Sequence, residues 1–170
     1  TGIVPHIKDL DLKFPLKFDL SKNKVLLDSL KKTIIKLEND KVQNNNAFII
    51  SSPISSDGKT VLTILMALTT IQMGKKVLLI DMDEEKKSLT NKFFGKSFQD
   101  KGFTNIRKES FSLEYAKNCI VRDKQYNLEI IPSGNIKENY SENYDKFNDL
   151  LSSLSKKYDL ILCDTMPITY

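Results

Sequence analysis

Residues 48–83 constrain the fold more than any other part of the chain. They begin with the apolar run Phe48–Ile50, continue through a polar segment ending in Gly58-Lys59-Thr60, and lead into a long apolar stretch. A second apolar run, Lys76–Ile80, then ends at Asp81-Met82-Asp83. This order predicts a buried strand, a phosphate-binding loop, a helix and a second strand, which is how a nucleotide-binding α/β domain begins. We therefore expect a nucleoside triphosphate as the ligand.

The composition is that of one globular domain and argues against several other classes. The chain has 170 residues, of which 40% are hydrophobic and 28% charged, enough for a single core. Its formal charge of +4 comes from lysines scattered along the chain, so we expect no nucleic-acid partner. Cys119 and Cys163 are interpreted as reduced, and His6 has no neighbours at metal-ligand spacing. No apolar run is long enough to predict a membrane-spanning helix.

The pattern of apolar residues predicts strands that alternate with helices. Helices are expected at residues 24–40, 60–73, 88–94, 113–120 and 144–157, and further strands at 128–131 and 159–164. Residues 95–110 are polar and interrupted by glycine, so no single conformation is predicted there. Alternation of this kind indicates an α/β fold with a mainly parallel sheet flanked by helices on both faces. The ligand is then expected outside the carboxyl ends of the strands.

Two regions of the chain are predicted from this pattern. Residues 1–23 have no sustained period and are predicted to form an extended lead-in. Residues 24–170 are predicted to form the nucleotide-binding domain, and we expect this domain to be soluble and cytoplasmic.

The loop before the long helix matches the phosphate-loop template in part. Gly58-Lys59-Thr60 is intact, whereas Pro53 stands where the template has its first glycine. Backbone N–H groups at a helix N-terminus can still surround the β- and γ-phosphates. Lys59 would neutralise those phosphates, and the Thr60 hydroxyl would bind Mg²⁺. The predicted phosphate-binding residues are Ser55, Ser56, Asp57, Gly58, Lys59 and Thr60.

Three aspartates follow predicted strands and are candidates for metal and proton chemistry. Asp81 and Asp83 come after the second strand, where alternate side chains point the same way, and Asp164 ends the last strand. Asp81 and Asp83 could hold Mg²⁺ through water and accept a proton from an attacking hydroxyl. Asp164 could bind the water shell of the metal. A structural role, as a helix N-cap or strand-end residue, is the alternative for each aspartate.

Three segments resemble, in the same order along the chain, the Walker A, A′ and B motifs of the bacterial tyrosine kinases: residues 51–60, 77–83 and 158–167. Ile131-Pro132-Ser133-Gly134 is similar to a strand end of that family. Gly2-Ile3-Val4-Pro5 resembles the segment just inside the second transmembrane helix of members fused to polysaccharide co-polymerases. The similarity extends over almost the whole chain.

This resemblance implies a P-loop NTPase fold and a protein-tyrosine kinase that uses ATP and Mg²⁺. Lys59, Asp81 and Asp83 are the implied catalytic residues, and Thr60, Asp81 and Asp164 the implied metal site. The implied partners are copies of the chain itself and a transmembrane polysaccharide co-polymerase, either fused or separate. The implied location is the cytoplasmic face of the bacterial inner membrane, where the domain would regulate exopolysaccharide chain length and export.

Departures from the family pattern leave two alternatives open. Ser56 replaces a glycine of the loop, and Glu85 stands where the family usually has an arginine, which favours a non-catalytic regulatory module of the same assembly. The first helix also does not match the family's oligomerisation pattern. A partition-type ATPase is the other alternative. Ile54 weighs against it, because that class places a second lysine at this point.

Overall fold

The computed structural model describes residues 19, 22–39, 46–54, 56–98, 101–108, 113–135 and 144–168. Most of the predicted lead-in lies outside these residues, including Gly2–Pro5 and His6. Ser55 of the predicted phosphate loop also lies outside them. Within the described residues, no helix combines the length and the apolar character needed to cross a membrane.

The described residues form one five-stranded sheet and six helices. In chain order the elements are α1 (Lys24–Asn39), β1 (Ala47–Ile50), α2 (Lys59–Gln72), β2 (Val77–Asp81), α3 (Ser88–Phe94), α4 (Phe103–Lys108), α5 (Leu113–Asn118), β3 (Val121–Asp123), β4 (Leu128–Ile131), α6 (Tyr144–Leu154) and β5 (Leu160–Asp164). The strand order is β1-β5-β2-β4-β3. Neighbouring strands are parallel except for β3, which runs antiparallel to β4. The predicted mainly parallel α/β fold is confirmed.

The two faces of the sheet have separate hydrophobic cores. Leu79 of β2 and Leu162 of β5 lie in the cluster that buries α1, α2 and α3. Their neighbours Leu78 and Ile161 point the other way, into the cluster that buries α4, α5 and α6. Because alternate residues of a strand face opposite sides, a strand buried on both faces must be apolar throughout. The predicted helices on both faces are therefore present.

The register of the central strands brings acidic residues together. Asp81, the last residue of β2, lies directly beside Asp164, the last residue of β5. On its other side, Asp164 lies beside Ile50, after which the chain enters the predicted phosphate loop. The carboxyl ends of three neighbouring strands therefore lie side by side, as expected for parallel strands.

The prediction that the first strand is buried is wrong. In the described sheet, β1 is an edge strand, and Ile49 is 64% exposed. Phe48 and Ile50 pack only partly against the core. A four-residue apolar run cannot distinguish an interior strand from an edge strand, because the neighbours of a strand are set by distant segments.

Two elements are not predicted from the sequence. β3 has only three residues, which is too short to show alternation. α4 lies within residues 95–110, and it begins with N–H groups that are bonded to another loop. Phe103 N–H donates to the carbonyl of Pro132 at 2.7 Å, and Thr104 N–H donates to that of Ser133 at 3.0 Å. A helix started by such distant contacts leaves little trace in its own sequence.

Candidate functional site

The end of the loop between β1 and α2 has a left-handed backbone. Ser56 has φ 69° and Gly58 has φ 86°. Left-handed residues next to a helix N-terminus can turn successive N–H groups toward one side, which is how an anion-binding nest forms. Glycine adopts this conformation freely, whereas a residue with a Cβ atom such as Ser56 is strained by roughly 1–2 kcal/mol. The strain lies where the family resemblance leads us to expect a glycine.

The N-terminus of α2 is suited to an anion. Among the described residues, no side chain caps this terminus, and Gly58 occupies the N-cap position. The first N–H groups of a helix have no partner inside the helix, and the helix dipole makes this end positive. A bound phosphate would satisfy these groups.

A cleft of about 240 Å³ opens at this terminus. The described residues that line it come from the loop, the segment after β2, α3 and the segment after β5: Ser56, Gly58, Lys59, Thr60, Val61, Asp83, Lys86, Ser88, Lys92 and Pro167. Three lysines and a helix N-terminus therefore surround one small space, which suits a polyphosphate. A larger and shallower depression, of about 410 Å³, lies at the opposite end of the sheet and contains none of the predicted site residues.

Thr60 and Asp164 form a pair at the base of the cleft. The Thr60 hydroxyl donates to Asp164 Oδ2 at 2.7 Å, and Asp164 is 1% exposed. The other oxygen, Asp164 Oδ1, is buried and has no hydrogen-bond partner among the described residues. Burial raises the pKa of Asp164 to about 6; Asp83 adds to this shift, while Thr60 and Lys59 oppose it. A buried oxygen without a partner, beside a hydroxyl, is a place where Mg²⁺ or its water can bind.

Asp81 lies behind the cleft rather than in its wall. Its side chain is fully buried, and both carboxylate oxygens accept hydrogen bonds. Oδ2 accepts from the Thr90 N–H at 2.8 Å and from the Thr90 hydroxyl at 2.6 Å, while Oδ1 accepts from the Asp83 N–H at 3.1 Å. Burial raises the pKa of Asp81 to about 7, although the bonds from Thr90 oppose this shift.

Asp83 is the acidic residue of the segment after β2 that faces the cleft. It is 5% exposed, and its Oδ1 accepts the N–H of Lys86 at 2.9 Å. This bond closes a turn that carries Lys86 to the wall of the cleft. Lys87 points elsewhere, because its amine bonds the carbonyl of Gly134 and the side chain of Asn135. Of these two lysines, Lys86 is therefore the one that brings a positive charge to the cleft, in place of the arginine that the resemblance leads us to expect at position 85.

The structure brings most of the predicted site residues together. Ser56, Gly58, Lys59, Thr60 and Asp83 line the cleft, and Asp81 and Asp164 lie directly behind it. Asp57 is exposed and is not among the described lining residues, and Ser55 lies outside the described part of the chain.

Several residues of the site are not predicted from the sequence, among them Ser88 and Lys92 in the wall of the cleft and Thr90 behind it. Ser88 and Lys92 lie one helical turn apart on α3, so their spacing offers a weak signal. Thr90, which bonds Asp81, is revealed only by tertiary contacts.

The chain matches the AAA domain family over residues 56–169. It is 32% identical over 126 residues to the tyrosine-protein kinase Wzc of Salmonella typhi, a match that covers 73% of this chain and 17% of the relative. It is 30% identical over 122 residues to the tyrosine-protein kinase YwqD of Bacillus subtilis, which covers 71% of this chain and 49% of the relative. The chain thus spans half or less of these two relatives. Their names agree with the predicted resemblance.

Solved structures share the fold. The kinase domain of the Escherichia coli tyrosine kinase ETK superposes with a TM-score of 0.74 at 21% identity, covering 96% of this chain and 68% of that one. A plasmid partition protein of Borrelia burgdorferi superposes with a TM-score of 0.56 at 31% identity, covering 72% of this chain and 56% of that one. The predicted P-loop NTPase fold is confirmed by these neighbours.

Proposed function

Since the chain belongs to the AAA domain family, we propose that it binds Mg-ATP in the cleft at the start of α2 and transfers the γ-phosphoryl group to tyrosine. One observation carries this proposal. Lys59, Thr60 and Asp83 line a single space, and Thr60 is bonded to the buried Asp164 behind it. The names of the relatives, which are tyrosine-protein kinases, supply the acceptor.

The loop and Lys59 are proposed to bind the β- and γ-phosphates. The N–H groups of residues 56–60 would donate to phosphate oxygens, and the Lys59 ammonium would neutralise part of their charge. These donors are fixed by the fold before the reaction begins, so they can stabilise the charge that develops on the transferring group. Lys86 and Lys92 would add positive charge from the other side of the cleft.

The residues present fit Mg²⁺ that arrives with the nucleotide. No three His, Cys, Asp or Glu side chains among the described residues form a metal centre of their own. Mg²⁺ does not need such a centre, since it takes one or two carboxylates, several waters and phosphate oxygens. The Thr60 hydroxyl and Asp164 would hold it. Asp81 is fully buried and both of its oxygens are hydrogen-bonded, so it would contribute charge beside the site rather than a ligand. When bound, Mg²⁺ would neutralise charge on the phosphates.

Asp83 is proposed to accept the proton of the tyrosine hydroxyl, with Asp81 behind it as a positioning partner. The tyrosine oxygen forms a bond to the γ-phosphorus, the bond from that phosphorus to the bridging oxygen breaks, and ADP leaves. Asp83 faces the space where the hydroxyl would lie. Asp81 is fully buried and its Oδ1 accepts the Asp83 N–H, so it would orient Asp83 rather than take the proton itself.

The setting of the domain follows from its resemblance to the bacterial tyrosine kinases. We propose that residues 24–170 act as the nucleotide-binding domain at the cytoplasmic face of the bacterial inner membrane. Other copies of the chain would be its tyrosine substrates, and a transmembrane polysaccharide co-polymerase its partner. In that assembly the domain would regulate exopolysaccharide chain length and export.

One observation favours a non-catalytic regulatory module as the second candidate. Ser56 holds a left-handed conformation at the mouth of the cleft, and its side chain reduces the room for a phosphate. Such a loop could bind nucleotide without aligning it for transfer. Glu85 is exposed and is not among the described lining residues, so it gives this alternative little support.

The proposal is tested by measuring Mg-ATP affinity and phosphoryl transfer for wild type and Lys59→Met. A hydrogen bond between charged groups contributes about 1.5–3 kcal/mol, so affinity should fall by roughly 10- to 100-fold in Lys59→Met. Lys156→Met is the matched control, because Lys156 is exposed at the other end of the sheet. Transfer is followed as radiolabel from γ-labelled ATP, with phosphotyrosine identified after hydrolysis of the protein.

The outcomes separate the candidates. Mg-ATP binding with transfer to tyrosine supports the kinase. Tight binding without transfer supports the regulatory module. A wild-type protein that does not bind Mg-ATP, and that behaves like Lys59→Met, would overturn the kinase and every version of the regulatory module that depends on nucleotide.

A further inference from the structure

Four polar residues in and behind the wall of the cleft form a closed ring of hydrogen bonds. The Thr90 hydroxyl donates to Asp81 Oδ2 at 2.6 Å and accepts the N–H of Ser133 at 2.9 Å. The Ser133 hydroxyl donates to the carbonyl of Asp83 at 3.1 Å, and the N–H of Asp83 donates to Asp81 Oδ1 at 3.1 Å. All four residues are at most 5% exposed. The ring joins the end of β2, the first turn of α3 and the loop after β4.

Thr90 is the member of the ring whose side chain both donates and accepts a hydrogen bond. A hydroxyl has one proton and two lone pairs, and Thr90 uses the proton on Asp81 and a lone pair on the Ser133 N–H. The Thr90 N–H donates to the same oxygen of Asp81 at 2.8 Å. Two donors on one carboxylate oxygen fix the plane and the direction of the carboxylate.

We propose that Thr90 is a positioning residue of this site, whose hydroxyl fixes the Asp81 carboxylate and, through the ring, the place of Asp83 in the wall of the cleft. The inference rests on the proposed Mg-ATP-dependent transfer. Without the hydroxyl, Asp81 would keep one donor on Oδ2, and the Ser133 N–H would lose its acceptor. The backbone would stay paired with β5, because the Met82 N–H donates to the carbonyl of Asp164 at 2.8 Å. The Asp81 carboxylate, and with it the bond that holds the Asp83 N–H, would lose its fixed direction.

A valine at position 90 tests the role of the hydroxyl at almost unchanged volume. In wild type, Mg²⁺ should increase the affinity for a fluorescent, non-hydrolysable ATP analogue, and we expect this increase to be smaller in Thr90→Val. We also expect Thr90→Val to lower kcat by about 10- to 100-fold, as small misplacements at a reacting centre do. The KM for ATP should change less than kcat, because the loop and Lys59 are untouched. Thr90→Ser keeps the hydroxyl and should restore most of both quantities.

Thr69→Val is the matched control for losing a buried threonine hydroxyl. Thr69 is fully buried on α2, and its hydroxyl donates only within its own helix, to Leu65 at 2.8 Å. Both valine variants should lose some thermal stability. Only Thr90→Val should lose the effect of Mg²⁺ on nucleotide affinity, measured at low temperature where circular dichroism shows each protein to be folded.

The inference and the proposed function fail in different ways. If wild type binds Mg-ATP and Thr90→Val matches it in the effect of Mg²⁺ and in kcat, the positioning role is wrong while the function stands. If wild type shows no binding that depends on Mg²⁺, the function fails and the inference falls with it. If Thr90→Val does not fold, Thr90→Ala, which leaves room for a water, serves the same comparison. If Thr90→Ala matches wild type in the effect of Mg²⁺ and in kcat, the positioning role is also wrong.

Discussion

At the scale of single residues, Asp164 opposes folding in order to serve the site. Its carboxyl group is 1% exposed, and Oδ1 has no hydrogen-bond partner among the described residues. A buried carboxylate without full hydrogen bonding destabilises the folded state. A folded protein keeps such a group where its charge is needed for a ligand, and here the Thr60 hydroxyl and the cleft lie beside it.

We predict that Asp164→Asn stabilises the ligand-free protein at alkaline pH. The folded-state pKa of Asp164 is about 6, against an ordinary value of 3.8, so the folded state binds more protons than the unfolded state between these values. The free energy of unfolding of wild type should therefore fall as pH rises from about 4 through about 6. Two pKa units correspond to roughly 3 kcal/mol, so Asp164→Asn should gain about 1–3 kcal/mol near pH 8.

Urea unfolding with a chelator and without nucleotide measures this difference at several pH values. The advantage of Asp164→Asn over wild type should shrink as pH falls from about 6 to about 4 and be absent below that, because folded wild type becomes neutral at this position as pH falls through 6. Asp149→Asn is the control, since Asp149 is exposed on α6. An advantage that is absent, or that stays constant with pH, would contradict the assignment.

The site shows which residues sequence can reveal. Lys59 and Thr60 are predictable because the phosphate loop is a local pattern, and its helix N-terminus follows from the same segment. Asp81 and Asp164 are predictable as strand ends, although only the register shows that they are neighbours. Thr90 is not predictable, since its contact with Asp81 depends on how α3 packs over β2.

At the scale of elements, α4 is held by the loop that follows β4. Gly102 precedes the helix, and a Cβ atom there would lie 2.1 Å from the carbonyl oxygen of Pro132 and 2.5 Å from the nitrogen of Gly134. Both contacts are with backbone, so neither can move aside cheaply. The position therefore requires glycine for space, and this close approach is why a short segment of mixed composition becomes a helix.

We predict that Gly102→Ala destabilises the protein by about 3 kcal/mol, the upper range for overpacking a close contact. Gly74→Ala is the matched comparison. Gly74 has φ 76° and open space around it, so alanine there should cost only about 1 kcal/mol through backbone strain. Urea unfolding at neutral pH measures both. Equal losses for the two variants would show that α4 does not depend on this contact.

The elements also show where prediction from sequence ends. The long apolar helix α2 and the strands β2 and β5 are confirmed, because a buried parallel strand is apolar along its whole length. β3 and α4 are not predicted, since three and six residues carry too little periodicity. These short elements are set by their neighbours: β3 by pairing with β4, and α4 by its bonds to Pro132 and Ser133.

At the scale of the whole molecule, the two edges of the sheet differ. β3 closes one edge with a short antiparallel strand, whose central residue Arg122 is exposed. At the other edge, no described strand lies beside β1 on its outer side, and Ile49 is 64% exposed. An apolar edge strand without a neighbour can pair with another chain.

We predict that Ile49→Lys lowers self-association of the 170-residue chain at high protein concentration, without a large change in the free energy of unfolding. A charge on an edge strand opposes pairing between chains, and an exposed isoleucine adds little to the core. Val25→Lys is the control. Val25 is 74% exposed on α1, and a helix presents no strand edge for pairing with another chain, so the same added charge should reduce association less. Light scattering at matched concentrations measures both, and equal effects would mean that net charge, rather than the β1 edge, controls association.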